Sequence, residues 1–108
     1  MIKVGECVLD SQGRLASGFW ENAIGLLDNN NPRSLVIQTR WGIHTFFLRE
    51  AIDIAVLDRG FRIVFLKKNL SPNNFFFYPP KYYHVLEMPT GYINKFSLKI
   101  GDKISIHD

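Results

Sequence analysis

Six residues carry most of the chemistry this chain can offer: Arg40, Trp41, His44, Arg49, Asp53 and Glu87. All but Glu87 lie in or beside the stretch Trp41-Gly-Ile-His-Thr-Phe-Phe-Leu-Arg-Glu-Ala-Ile-Asp-Ile-Ala-Val-Leu-Asp58, which otherwise reads as packed core. A histidine among carboxylates, with Glu50 added, is a set that can move protons. The catalytic context is missing, however. There is no nucleophile motif, no metal-ligand spacing and no glycine-rich phosphate loop, and Ser34 and Ser71 sit in no nucleophile elbow. Buried ion pairs and turn anchors are the first reading of this set, ligand or partner binding the second, and catalysis the last. As a binding site, it would be a groove where Trp41, His44, Arg49 and Glu87 converge.

His44, His84, His107, Cys7 and Glu87 are scattered without i, i+4 or Cys-x-x-Cys spacing, so no metal and no cofactor is expected. The other unusual stretch is Phe75-Phe-Phe-Tyr-Pro-Pro-Lys-Tyr-Tyr-His84. Its rings, near Lys67, Lys68 and Lys81, are of the kind that stack on nucleotide bases. The preferred reading is that they plug one end of the fold, because so many rings are costly to leave in water. Contact between two copies of the chain is the remaining use.

The 108 residues suit one domain spanning 1–108, with 46% hydrophobic and 21% charged residues. The net charge of +3 is mild, and the basic residues are spread rather than striped, so nucleic acid is not the favoured partner. A small molecule or a protein is, with the chain a monomer or a homodimer. One cysteine excludes an internal disulfide. The first ten residues do not read as a signal peptide, and no apolar run reaches membrane-spanning length. A cytoplasmic protein is expected.

The elements that must position these residues are mostly strands. Residues 2–10 read as a strand, and Ser17 to Asn31 as a helix with Phe19, Trp20, Ala23, Ile24 and Leu27 on its apolar face. Strands follow at 33–39 and 44–48. Asp53–Asp58 and Phe61–Lys67 form a hairpin about Arg59-Gly60. Both arms are apolar on both faces, which places the hairpin centrally in the sheet. A strand at 82–88, one or two helical turns within 91–99 and a last strand at 103–107 complete the chain. The fold class is β-rich α+β: a small, mostly antiparallel barrel or rolled sheet with one or two short helices on it.

The order of these segments resembles a known family. It runs from Gly25-Leu-Leu27 through Trp41-Gly-Ile-His-Thr-Phe-Phe-Leu-Arg49, Ile52-Asp-Ile-Ala-Val-Leu-Asp58 and Ile63-Val64 to Val85-Leu-Glu-Met-Pro-Thr-Gly91 and Ile100-Gly-Asp102. Over about residues 18–106 it is similar to the uncharacterised prokaryotic family catalogued as domain of unknown function 192. The family's aromatic-Met-basic tripeptide is represented by Phe47-Leu-Arg49, and its Ile-Pro-Leu-Asp-like segment by Ala51-Ile-Asp53. Leu48 replaces the Met, the Pro is lost, and Asn29 stands where an Arg is common. Many family members sit behind a signal peptide, which the first ten residues here are not expected to form. The resemblance implies a small β-rich α+β domain and brings no established activity.

Four structural expectations follow. Trp41 and Phe47 are buried. The 53–67 hairpin is central. The segment 69–80 packs at least two Phe rings on the body. Glu87 is buried and paired with Arg40 or Arg49, with a lowered pKa, while Glu50 lies in an exposed turn.

Overall fold

The computed structural model describes residues 1–10, 14–17, 34–38, 42–44, 50–79, 81–82 and 84–107, with the backbone alone for 14–17, 35, 38 and 42–44. Ser17, where the expected helix starts, ends a strand instead, and the rest of that helix, with the expectations for Trp41 and Phe47, lies outside these residues.

A five-stranded sheet forms the centre. Its strands are β3 (Arg14–Ser17), β4 (Leu35–Gln38), β6 (Ile52–Leu57), β7 (Ile63–Leu70) and β9 (His84–Pro89), in the order β3-β4-β9-β6-β7. Every pairing in it is antiparallel except β3 with β4. β4, β9 and β6 are its inner strands, and the side chains of β6 and β9 are buried on both faces almost throughout. This is what near-continuous apolar runs require.

On one face lie Ile37, Ile52, Ile54, Val56 and Val85. They are covered by a two-stranded ribbon and the segment after it. The ribbon pairs β5 (Gly42–His44) with β8 (Phe75–Phe77). Phe76, Tyr78 and Tyr82 pack onto the sheet from there. On the other face lie Val36, Ala55, Leu57, Leu86 and Met88. A second sheet covers these, with β1 (Ile2–Val4) between β2 (Cys7–Asp10) and β10 (Ile104–Ile106). It contributes Ile2, Leu9 and Ile104, while Ile93 and Leu98 come from the short helix α1 (Tyr92–Lys95) and the turn after it.

The hairpin forms as read, turning at Asp58–Arg62, but its second arm corrects the expectation. β6 is internal, whereas β7 is the edge strand of the sheet. Its first residue is covered: Ile63 N donates to Asp102 O at 2.9 Å and Ile63 O accepts from Gly101 N at 2.8 Å. Further along, Lys67 and Lys68 are exposed, and charged side chains blunt an open edge. The start of this apolar run, at 61–63, is covered by the segment 101–104.

The three sheets stay separate among the described residues, so the expected closure into a barrel is not seen. The β-rich, mostly antiparallel α+β class stands. No described helix is long and apolar enough to cross a membrane.

Candidate functional site

Asp53 is buried, at 1% exposure, and its carboxylate is fully engaged with backbone. Its position in β6 faces the layer holding α1. Oδ2 accepts from Gly91 N at 3.1 Å and Ile93 N at 2.9 Å, and Oδ1 accepts from Asn69 N at 3.0 Å. A strand residue thus caps the first turn of a helix from across the core, satisfying N–H groups that the helix cannot. Gly91, at φ 93°, gives the chain the left-handed turn that aims those groups at the carboxylate. Asp53 is a structural anchor, as the first reading of the polar set proposed.

Glu87 lies on the opposite face of the sheet. It pairs in register with Leu35 of β4 and Ile54 of β6, and is 4% exposed. The expected burial is seen and the expected direction of its pKa is reversed, while the expected pairing with Arg40 or Arg49 falls on residues outside those described. Burial pushes its carboxyl up to about 8 rather than down. No hydrogen bond or ion pair joins it to another described residue. The physical reason is that β9 is buried on both faces, and burial disfavours the charged form of the carboxyl.

His44 pairs with Phe75 in the ribbon, one residue from the Ile43–Phe76 pair. Phe76 shares its packing cluster with Ile54 and Val85, the neighbours of Glu87 in the sheet. The ribbon and Glu87 therefore belong to one side of the molecule. Arg40, Trp41 and Arg49 lie outside the described residues. Glu50 is exposed in a bend, as expected.

The aromatic segment divides by alternation. Phe76 and Tyr78 turn inward, while Phe75 and Phe77 are 56% and 71% exposed. One Phe ring packs on the body where two were expected, because a strand sends alternate side chains to opposite faces. The two outer rings stack on each other, with centroids 5.6 Å apart and planes 12° from parallel. Gly42, opposite Phe77, adds no side chain beside them.

Sequence reasoning missed the group at the other end of β9. An open hollow of about 410 Å³ is lined by Asp58, Arg59, Gly60, Lys81 and Tyr82. Next to it in the chain, His84 is buried against Phe61, with ring centroids 4.7 Å apart. Burial lowers its pKa. Among the described residues no three His, Cys, Asp or Glu side chains gather as metal ligands would.

Comparison with known proteins agrees with this architecture. A UPF0127 protein of Pyrococcus horikoshii is 31% identical over 101 residues, covering 88% of this chain and 87% of its own. The crystal structure of a protein of unknown function from Novosphingobium aromaticivorans superimposes with a TM-score of 0.72 at 18% identity, over 88% of this chain and 74% of that one. A Sinorhizobium meliloti protein with the provisional description of transcription regulator does so with a TM-score of 0.73 at 14% identity, over 86% and 79%. These two likenesses show the fold alone. Residues 4–106 match the family DUF192, described as an uncharacterized ACR, and the chain belongs to that family.

Proposed function

We propose that this chain is a small binding domain, not an enzyme, and that its ligand contacts the Glu87 side of the central sheet beneath the β5–β8 ribbon. The observation that carries this reading is the Glu87 carboxyl. It is buried, with its pKa raised to about 8, and no described side chain bonds to it. A neutral carboxyl in such a place has a donor and an acceptor to offer. A ligand amide, with an N–H to donate and a carbonyl to accept, would satisfy both. His44 in the ribbon, with Arg40, Trp41 and Arg49 flanking β5 in sequence, completes the proposed groove, while Asp53 leaves it for its role at α1. Native mass spectrometry of the protein as purified tests this reading. A retained small molecule that disappears in Glu87→Leu is expected. A retained molecule unaffected by that substitution, or none in either protein, would count against it.

One observation favours a second reading. The exposed, stacked Phe75–Phe77 pair suits single-stranded nucleic acid held by base stacking on 75–84. Salt-sensitive retention on single-stranded oligonucleotides, abolished by Phe77→Ala, would put it ahead of the first.

A further inference from the structure

We infer that the hollow between the β6–β7 turn and the Lys81–Tyr82 segment is a binding site for a small anion carrying a flat ring, the chemistry of a nucleoside monophosphate. Its volume, about 410 Å³, falls within the range of small-molecule sites. The walls supply both halves of such a ligand's recognition. Arg59 and Lys81 are cations, and neither has an ion-pair partner among the described residues. Lys81 Nζ stands 5.1 Å from the centroid of the Tyr82 ring, held over its face.

The Tyr82 ring is itself fixed. It is half-buried against the core and meets the Phe65 ring edge-on, at 6.1 Å and 78°. The backbone beneath is fixed too, since Tyr82 N donates to Pro79 O at 3.1 Å. A positioned ring with an ammonium above it offers a flat surface and a charge side by side, which suits a base or other aromatic ring bearing an acidic group.

The opposing charge in the lining is Asp58. Its Oδ1 accepts from Gly60 N at 2.8 Å and Arg62 N at 3.0 Å, so this carboxylate is tied into the turn it shapes. Among the described residues, the lining carries two cations against one engaged carboxylate. Gly60 adds no side chain to the floor. The hollow lies at the Tyr82 end of β9 and does not include Glu87, so it stands independently of the groove proposed above.

Isothermal titration with adenosine monophosphate tests the assignment, with inorganic phosphate and adenosine as separate probes. Saturable one-site binding is expected, tighter than either half alone and weakened by added salt. Arg59→Gln and Lys81→Gln should each weaken it roughly tenfold, the value of a lost charge-assisted hydrogen bond. Both positions border the solvent, so their melting temperatures should match the parent's and folding is not in question. Glu87→Leu should leave this affinity unchanged. No saturable binding, or affinity retained in both cation variants, overturns the proposal. So does affinity lost only in Glu87→Leu, or tighter binding of an oligonucleotide whose salt dependence spans several phosphates.

Discussion

Between pH 4.5 and about 8 the folded chain keeps a proton on Glu87 that the unfolded chain gives up. The folded state binds more protons across this window, so stability falls as pH rises through it. The contribution is fully present below pH 4.5 and is lost by about pH 8. The slope is about 1.4 kcal/mol per pH unit. Glu87→Gln removes the ionisable group and keeps the shape, so urea midpoints at pH 5 and pH 8 should separate the two proteins. The variant gains on the parent as pH rises; parallel pH profiles would contradict a buried neutral carboxyl. His84 acts in the other direction, since burial lowers its pKa and stability is lost as pH falls below 6.5, but it is common to both proteins and cancels. Asp53 is the opposite kind of buried carboxyl, with three backbone donors. Asp53→Ala should cost about 3 kcal/mol or more in urea unfolding, because it leaves those N–H groups unsatisfied in a closed core.

At the scale of elements, β7 and β8 show how a strand is held at a boundary. The far half of β7 is open, with Lys67 and Lys68 exposed on it. Replacing both by Val would turn it into an apolar template for another strand. Size-exclusion chromatography of that double variant should show association that the parent lacks at equal concentration. β8 makes the complementary point within three residues. Phe76 packs on the sheet, while Phe77 stands in solvent. Phe76→Ala should cost about 3 kcal/mol, the usual range for truncating a packed Phe, whereas Phe77→Ala should shift the urea midpoint hardly at all. Equal losses would mean that the ribbon buries both sides.

The whole molecule is closed by its ends. β1 pairs with β10, with Ile2 opposite Ile106 and Val4 opposite Ile104, and His107 N donates to Met1 O at 2.7 Å. Ile2 and Ile104 are fully buried and roof one face of the central sheet. The pairing joins residues 2–4 to residues 104–106, segments far apart in the chain that pack over the same face of the central sheet. Deleting residues 104–108 should therefore abolish the cooperative thermal transition rather than fray one edge. A truncated chain that melts near the parent's temperature would show the second sheet to be an accessory.

Much of this was legible in sequence. The two apolar runs at 53–58 and 61–67, joined at Arg59-Gly60, specified a hairpin that forms within a few residues of where it was read. Ile93 and Leu98 marked the one described helix and the turn after it, and Ile104 and Ile106 the last strand. These are local signals, set by side-chain period and backbone preference. The family was legible too, because it rests on the order of such segments. What sequence left open depends on which surfaces meet. β7 carries an apolar pattern like that of β6, yet only the sheet order makes one an edge and the other a centre. Asp53 and Glu87 are both carboxylates set in apolar strands, and nothing in their neighbours distinguishes them. The tertiary structure brings three backbone N–H groups to Asp53, whereas the described neighbours of Glu87 in the sheet, Leu35 and Ile54, are apolar. The same side-chain type is thereby an engaged cap on one face of the sheet and a neutral acid on the other, because a carboxyl's charge is decided by what replaces its water.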